Sequence, residues 1–137
     1  LYYNARNRVG GLGGWDIWVT KRATKTDPWG EPVNVGAPIN SPGDDYGAWI
    51  STDKLEFFFA GERPGGSGRH DVWFVWRTNI EDDWSDPINL GQTVNSGAFD
   101  AYPCMTQNAL LLFFSGVDGF VPSRPGGQGG DDIGKAG

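Results

Sequence analysis

Apolar residues in this chain come in short bursts, not in long periodic stretches. "LEFFFAGE" (55–62) and "HDVWFVW" (70–76) are rich in aromatic and β-branched residues, and a glycine cluster separates them. Two such runs joined by a glycine loop predict a β-hairpin. Their apolar positions are successive rather than alternating, which suits strands covered on both faces. "DPINLG" (86–91) carries a proline at its start. Proline cannot donate to a ladder, so this run fits an outer edge strand. "DYGAWIST" (45–52) and "DAYPCMT" (100–106) supply one strand more. The predicted unit therefore has strands a (45–52), b (55–61), c (70–77) and d (86–91). No stretch shows a 3.6-residue period with paired caps, so no helix is predicted.

The unit is repeated. Shifted by 55 residues, positions 1–53 align with 56–108 without a gap, and 16 of the 53 pairs are identical. The identities include Arg8/Arg63, Gly10/Gly65, Gly11/Gly66, Gly13/Gly68, Asp16/Asp71, Trp18/Trp73, Trp29/Trp84, Asn34/Asn89, Asn40/Asn95, Ser41/Ser96 and Asp45/Asp100. A third copy begins with "LLLFFSG" (110–116), inserts six residues at Val117–Pro122, and resumes at Arg124 with Gly126, Gly127, Gly129 and Asp132. There Gly134 stands where Trp18 and Trp73 stand, which predicts a stunted strand c and no strand d. The chain divides as 1–53, 54–108 and 109–137. A fixed period with about four strands per unit points to an all-β propeller of four-stranded antiparallel blades, about two and a half of them here.

Composition narrows the class. The chain has 22 Gly and 9 Pro among 137 residues, but also 7 Trp, 8 Phe and 4 Tyr. That aromatic content excludes a disordered linker, which lacks apolar surface to bury. The net charge of −6 repels phosphate backbones, so nucleic acid is not an expected partner. Cys104 is the single cysteine, which rules out an internal disulfide. No apolar run reaches membrane-spanning length. "LYYNARN" at the start lacks the basic and apolar pattern of a signal peptide.

"RPGGSGRHDVWF" (63–74), "PINLGQTVNS" (87–96) and "STDKLEFFF" (51–59) together resemble the WD40-like, or PD40, propeller repeat of bacterial proteins, related to the TolB propeller. The turn in "STDKLEFFF" is similar to that family's Ser-Pro-Asp-Gly turn, with Thr52 and Lys54 in place of Pro and Gly. The resemblance spans nearly the whole chain. It implies a propeller fold and a periplasmic, cell-envelope or secreted setting. It implies no single function, because such propellers scaffold, bind peptides, bind sugars and gate enzymes alike.

The recurrent glycine cluster has a structural reading. Gly10, Gly11 and Gly13, with their counterparts, let the b–c hairpin reach positive φ. Asp16 and Asp71 stand where the chain leaves the turn, and a carboxylate there can accept from turn amides. Arg8 and Asp16 flank one hairpin and could pair across it. A calcium nonapeptide array needs tandem copies at a shorter period, and a phosphate cradle needs a following helix.

In a meander of four strands the b–c turns and the d-to-a connectors share one end. The six-residue insertion falls there too, and insertions on one face of a repeat protein often mark the working face. Candidate binding residues on that face are Arg8, Trp15, Asp44, Asp45, Arg63, Arg69, His70, Asp100 and Arg124, with Asp131 beside them. For each one an ordinary loop role competes. His70 is the lone histidine, expected to be an exposed loop residue, and it cannot build a multi-histidine zinc site. Cys104 is expected as a small buried hydrophobe. The recurrent Trp18/Trp73 and Trp29/Trp84 pairs are expected to pack between blades, and Trp15 could stack on a sugar or anchor a peptide. No cofactor is implied, although Asp44 and Asp45 could contribute to a calcium site at the channel mouth. The leading expectation is a non-enzymatic module that binds a protein, peptide or glycan through its hairpin face. The alternative is part of a polysaccharide hydrolase or lyase using loop carboxylates. Closed propellers have about 4–8 blades, so a longer parent chain or self-association is expected to complete the ring.

Overall fold

The computed structural model describes the backbone of residues 1–117 and 131–136 and the side chains of residues 1–116. The described residues form ten strands in chain order. They are β1 (Tyr2–Arg6), β2 (Trp15–Val19), β3 (Val33–Asn34), β4 (Asp45–Ile50), β5 (Glu56–Gly61), β6 (Asp71–Trp76), β7 (Ile88–Asn89), β8 (Phe99–Met105), β9 (Leu112–Val117) and β10 (Asp131–Ala136). Every pairing between neighbouring strands is antiparallel, and the described residues contain no helix. The strands form three sheets with orders β1-β2-β3, β4-β5-β6-β7 and β8-β9-β10. The sheets are not closed into a barrel.

The successive apolar residues of β5 and β6 are explained by the two cores. Phe57 pairs with Val75 and Phe59 with Trp73, and these four point to one face of the middle sheet. They pack against Ile17 of β2, Ile39 and Tyr2 of the first sheet. Phe58, Phe74 and Val72 point to the other face. They pack against Leu112 and Phe114 of β9 and Met105 of β8. The middle sheet is thus covered on both sides by its repeats, and Phe57, Phe59, Val72 and Val75 are fully buried. Burying such side chains stabilises the fold by about 1.5–3 kcal/mol each.

Strand d is shorter than the run 86–91 suggests, because a side chain takes over from the backbone. β7 is only Ile88–Asn89. Beyond it, Asn95 Oδ1 accepts from the Val72 N–H at 2.7 Å, while its Nδ2 donates to Val72 O at 3.1 Å and Asn89 Oδ1 at 2.9 Å. The amide thus continues the ladder on β6 like one more peptide unit. Asn40 does the same for Ile17 at 2.9 and 2.8 Å and bonds Asn34 Oδ1 at 2.7 Å. A second recurrent latch follows each. Ser41 N–H and Oγ–H donate to Asp45, and Ser96 N–H and Oγ–H donate to Asp100.

Four expectations are corrected. The 55-residue register slips by one in the first strand b: Asp16 faces Ala5, whereas Asp71 faces Gly61. One extra residue sits between strand and turn there, beside Asn7 at φ 50°. The third strand c is not stunted, since β10 pairs with β9 over six residues. Cys104 is exposed rather than buried. It pairs with Phe113, on the face of the third sheet opposite the core, and Phe113 is exposed too. Trp29 does not pack between sheets and is 47% exposed, whereas Trp84 packs edge-on to Phe57 in the core. Trp84 reaches the seam between two sheets. Trp29 holds the same place on the first sheet, away from that seam, under the Arg22 guanidinium.

Candidate functional site

The repeated hairpins are built to dock on the next unit. Gly10 and Gly65 sit at φ 88° and 87°, and each closes a turn in which Gly11 or Gly66 donates to the carbonyl of Arg8 or Arg63. Asp16 accepts from Leu12 and Gly13 N–H at 3.0 and 3.3 Å, and Asp71 accepts from Ser67 and Gly68 N–H. Both aspartates are buried. Gly13 and Gly68 answer to packing: a Cβ on Gly13 would lie 1.9 Å from Gly43 O, and one on Gly68 2.4 Å from Ala98 O. Hairpin backbone therefore rests directly on the incoming connector. The chain then leaves the first hairpin with Trp15 N–H donating to Asp44 Oδ1 at 2.9 Å. It leaves the second with Arg69 N–H donating to Ala98 O, and Asp100 N–H donating back to His70 O.

These two junctions, with the first residues of β4 and β8, enclose a cavity of about 300 Å³. Trp15 and Asp44 come from one junction, His70 and Phe99 from the other, and Tyr46 and Tyr102 from β4 and β8. Asn4 of β1 also lines it, and its Oδ1 accepts from Gly47 N–H at 3.1 Å. A smaller concavity of about 230 Å³ continues beyond Asn4 and Tyr102 along Tyr2, Tyr3 and Ala48.

His70 is 7% exposed, against the expectation of an open loop residue. Its ring stacks on Phe99 at 4.6 Å and lies 5.2 Å from Tyr46. Sequence reading missed this because both aromatic neighbours come from other elements. Neither ring nitrogen has a hydrogen-bond partner among the described residues. Burial pushes the imidazole pKa down, with Arg69 adding to that, while the Glu62 and Asp44 carboxylates pull it up by less. The ring is thus held neutral near pH 7. Burial, then Tyr102 and Asp44, raises the Tyr46 phenol above its ordinary value, so its hydroxyl stays protonated.

Tyr102 shows strain. Strands β4 and β8 carry matching bulges, between Tyr46 and Trp49 and between Ala101 and Cys104. The bulge residue is Gly47 at φ 68° in one and Tyr102 at φ 53° in the other. A side chain at φ near +55° costs about 1–2 kcal/mol. Tyr102 remains 61% exposed and faces Tyr46 at 5.6 Å.

The other predicted site residues lie elsewhere. Asp45 and Asp100 are fully buried, not displayed on the face. Asp45 bonds Ser41 and forms an ion pair with Arg63 at 2.8 Å. Arg63 also donates to the carbonyls of Pro38 and Ile39, so it ties connector to hairpin. Arg8 lies over the Trp18 ring at 5.0 Å rather than pairing with Asp16, whose Oδ1 has no partner. Arg69 sits 5.5 Å from the Phe99 ring, at the cavity rim. Arg124, Gly126, Gly127 and Gly129 lie outside the described residues, and Asp131 and Asp132 are placed only as backbone of β10. Asp44 and Asp45 point to separate tasks, and no group of three His, Cys, Asp or Glu residues converges among the described residues. No described helix is long and apolar enough to cross a membrane.

No protein-family model, curated protein or solved structure matches the chain.

Proposed function

We propose that this chain is a segment of a PD40-like β-propeller that binds a protein, peptide or glycan through the face carrying its glycine hairpins. The shared strand order of the three sheets, b-c-d, a-b-c-d and a-b-c, and the middle sheet covered on both faces support the propeller reading. In that reading, further blades come from a longer parent chain or from associating copies. One observation carries the binding reading. Two hairpin exits and the first strands of two sheets converge on one aromatic cavity, where the ring nitrogens of a buried histidine have no hydrogen-bond partner among the described residues. Its exposed aromatics, Trp15 and Tyr102, stand beside the polar Asp44 and Tyr46, the mix of apolar walls and a few polar groups that ligand sites show.

The hydrolytic alternative finds less support. A carboxylate pair is required, yet among the described residues Asp44 alone contributes a carboxylate to the cavity lining, and Asp45 and Asp100 are engaged with serines. The test is to probe the chain with a glycan array and a displayed peptide library, then repeat any hit with Trp15→Ala and Trp29→Ala. Both tryptophans are exposed, but only Trp15 lines the cavity. Loss of binding in Trp15→Ala alone supports the reading. Equal binding by both variants refutes it.

A further inference from the structure

We propose that the open edge of β1 takes an extended peptide, which runs antiparallel to it and sets an aspartate against Arg8. This edge is separate from the cavity at Trp15, although Asn4 borders both concavities. The other two sheets carry one more strand on this side: β4 covers the edge of β5, and β8 covers that of β9. β1 is the end strand of its sheet and pairs only with β2 among the described residues. Burial shows the difference. Tyr2, Tyr3, Asn4 and Ala5 are half-buried, whereas Phe57 through Gly61 of β5 are all buried. The edge of a strand presents a row of N–H and C=O groups and is a template for a further strand.

The repeat defines the chemistry of that peptide. In the middle unit Arg63 reaches from the hairpin to Asp45, the first residue of β4, through Nε at 3.2 Å and Nη2 at 2.8 Å. Asp45 stands opposite Gly61. Arg8 is the repeat counterpart of Arg63. Ala5 is the counterpart of Gly61, because it faces Asp16 as Gly61 faces Asp71. Arg8 is exposed, lies over the Trp18 ring at 5.0 Å, and has no carboxylate partner among the described residues. Charge-assisted bonds to a carboxylate are stronger than a contact between an exposed cation and a ring, so the guanidinium is available. An aspartate opposite Ala5 thus takes the place that Asp45 holds against Arg63, and the exposed Arg6 adds positive charge beside it. There is also room for a side chain further along. A concavity of about 230 Å³ lies between Tyr2 and Tyr3 on one side and Gly47 and Ala48 on the other. Tyr2 faces Val19 as Phe58 faces Phe74, so it is the counterpart of Phe58. Trp49 stands opposite Phe58, with ring centroids 5.7 Å apart. The fitting peptide therefore has an aspartate and, four positions on, an apolar residue opposite Tyr2, as in Asp45 to Trp49 and Asp100 to Cys104.

The test titrates the whole ¹⁵N-labelled chain with the unlabelled peptide acetyl-SPGDDYGAWI-amide, which copies residues 41–50. The amides of residues 2–6 and the Arg8 side-chain signal are expected to shift, with a Kd on the order of 0.1–1 mM. Arg8→Ala in the chain and Asp45→Asn in the peptide are each expected to weaken binding about fivefold or more, and the two together by little more than either alone. The peptide change acts on the same contact without touching the fold of the chain. Backbone bonding is tested separately. Ser51 N–H donates to Glu56 O, and bonded pairs alternate in an antiparallel ladder, so Trp49 exchanges bonds with Phe58. A peptide methylated at the Trp49 nitrogen is expected not to bind. Peptide shifts confined to the Trp15 cavity or to the β7 edge overturn the assignment to β1. Binding that ignores both charge changes overturns the role of Arg8. Shifts of the β1 amides that grow with chain concentration in the absence of peptide give the edge to a second copy and overturn the peptide assignment. Silence at about 5 mM peptide overturns the proposal as a whole.

Discussion

Asn95→Ala removes the side chain that extends β6, and its cost can be worked from the bonds it makes. Asn95 is 2% exposed and holds three hydrogen bonds, to Val72 N–H, Val72 O and Asn89 Oδ1. Two of the partners keep a second bond: Val72 O accepts from Leu90 N–H and Asn89 Oδ1 from Gly91 N–H. The Val72 N–H has no other acceptor and lies in the fully buried core. An orphaned buried donor costs about 1–3 kcal/mol, and each further lost bond about 0.5–1.5. The expected destabilisation is about 2–6 kcal/mol. In urea, with a slope near 2 kcal/mol per M, the midpoint falls by roughly 1–3 M. Asn95→Asp keeps the acceptor but turns an oxygen toward Val72 O and Asn89 Oδ1, so it should be no better at pH 7. Asn40→Ala should match Asn95→Ala to within about 1 kcal/mol, because its three bonds are the same. Tryptophan fluorescence during urea unfolding reads all three. A loss below about 1 kcal/mol in Asn95→Ala, with an unchanged slope, would refute the latch.

Other changes probe separate features. Lys54 and Ala109 occupy matching turns at φ 64° and 56°. Replacing Lys54 with Gly should stabilise the chain by about 0.5–1 kcal/mol and raise its melting point by roughly 2–4 °C; an unchanged or lower value contradicts the strain. Gly68→Ala drives a Cβ against Ala98 O and should cost about 1–3 kcal/mol, whereas Gly97→Ala meets nothing within 4 Å and should be near neutral. Equal effects in the two would count against hairpin docking. The His70 pKa is lowered on folding, so the unfolded chain takes the proton first as pH falls. Stability should therefore be full above about pH 6.5 and decline below it. His70→Phe should flatten that decline in melting curves taken between about pH 7 and 5.

Much of the architecture was legible along the chain. Strands b and c at 55–61 and 70–77 are β5 and β6 almost residue for residue, because consecutive aromatics leave few options but a strand with both faces covered. Strand d was misjudged in length. Asn34/Asn89 and Asn40/Asn95 were visible as identical pairs, but nothing local says that an amide side chain replaces a peptide. The gapless register hid a slip at Asn7, since one residue absorbed in a left-handed bulge leaves no gap in the repeat. The cavity was half legible. Trp15, Asp44 and His70 were placed on the hairpin face by topology. Tyr46, Phe99 and Tyr102 were not singled out, because β4 and β8 reveal their inward residues only once a bulge resets the alternation. Asp45 and Asp100 are candidates of the hairpin face by topology, but the structure buries them. Their recurrence reflected a buried bond to Ser41 and Ser96, a case where repetition signals folding rather than binding.

The most direct measurement is the environment of the single imidazole. Stacked repeats put His70 between Phe99 and Tyr46, out of water. Proton and ¹⁵N spectra of the chain should show Overhauser contacts from the ring to both aromatics and a pKa below 6.5. An ordinary or raised pKa, with contacts to neither ring, would mean that the hairpins do not meet the next sheet, and that no such cavity forms.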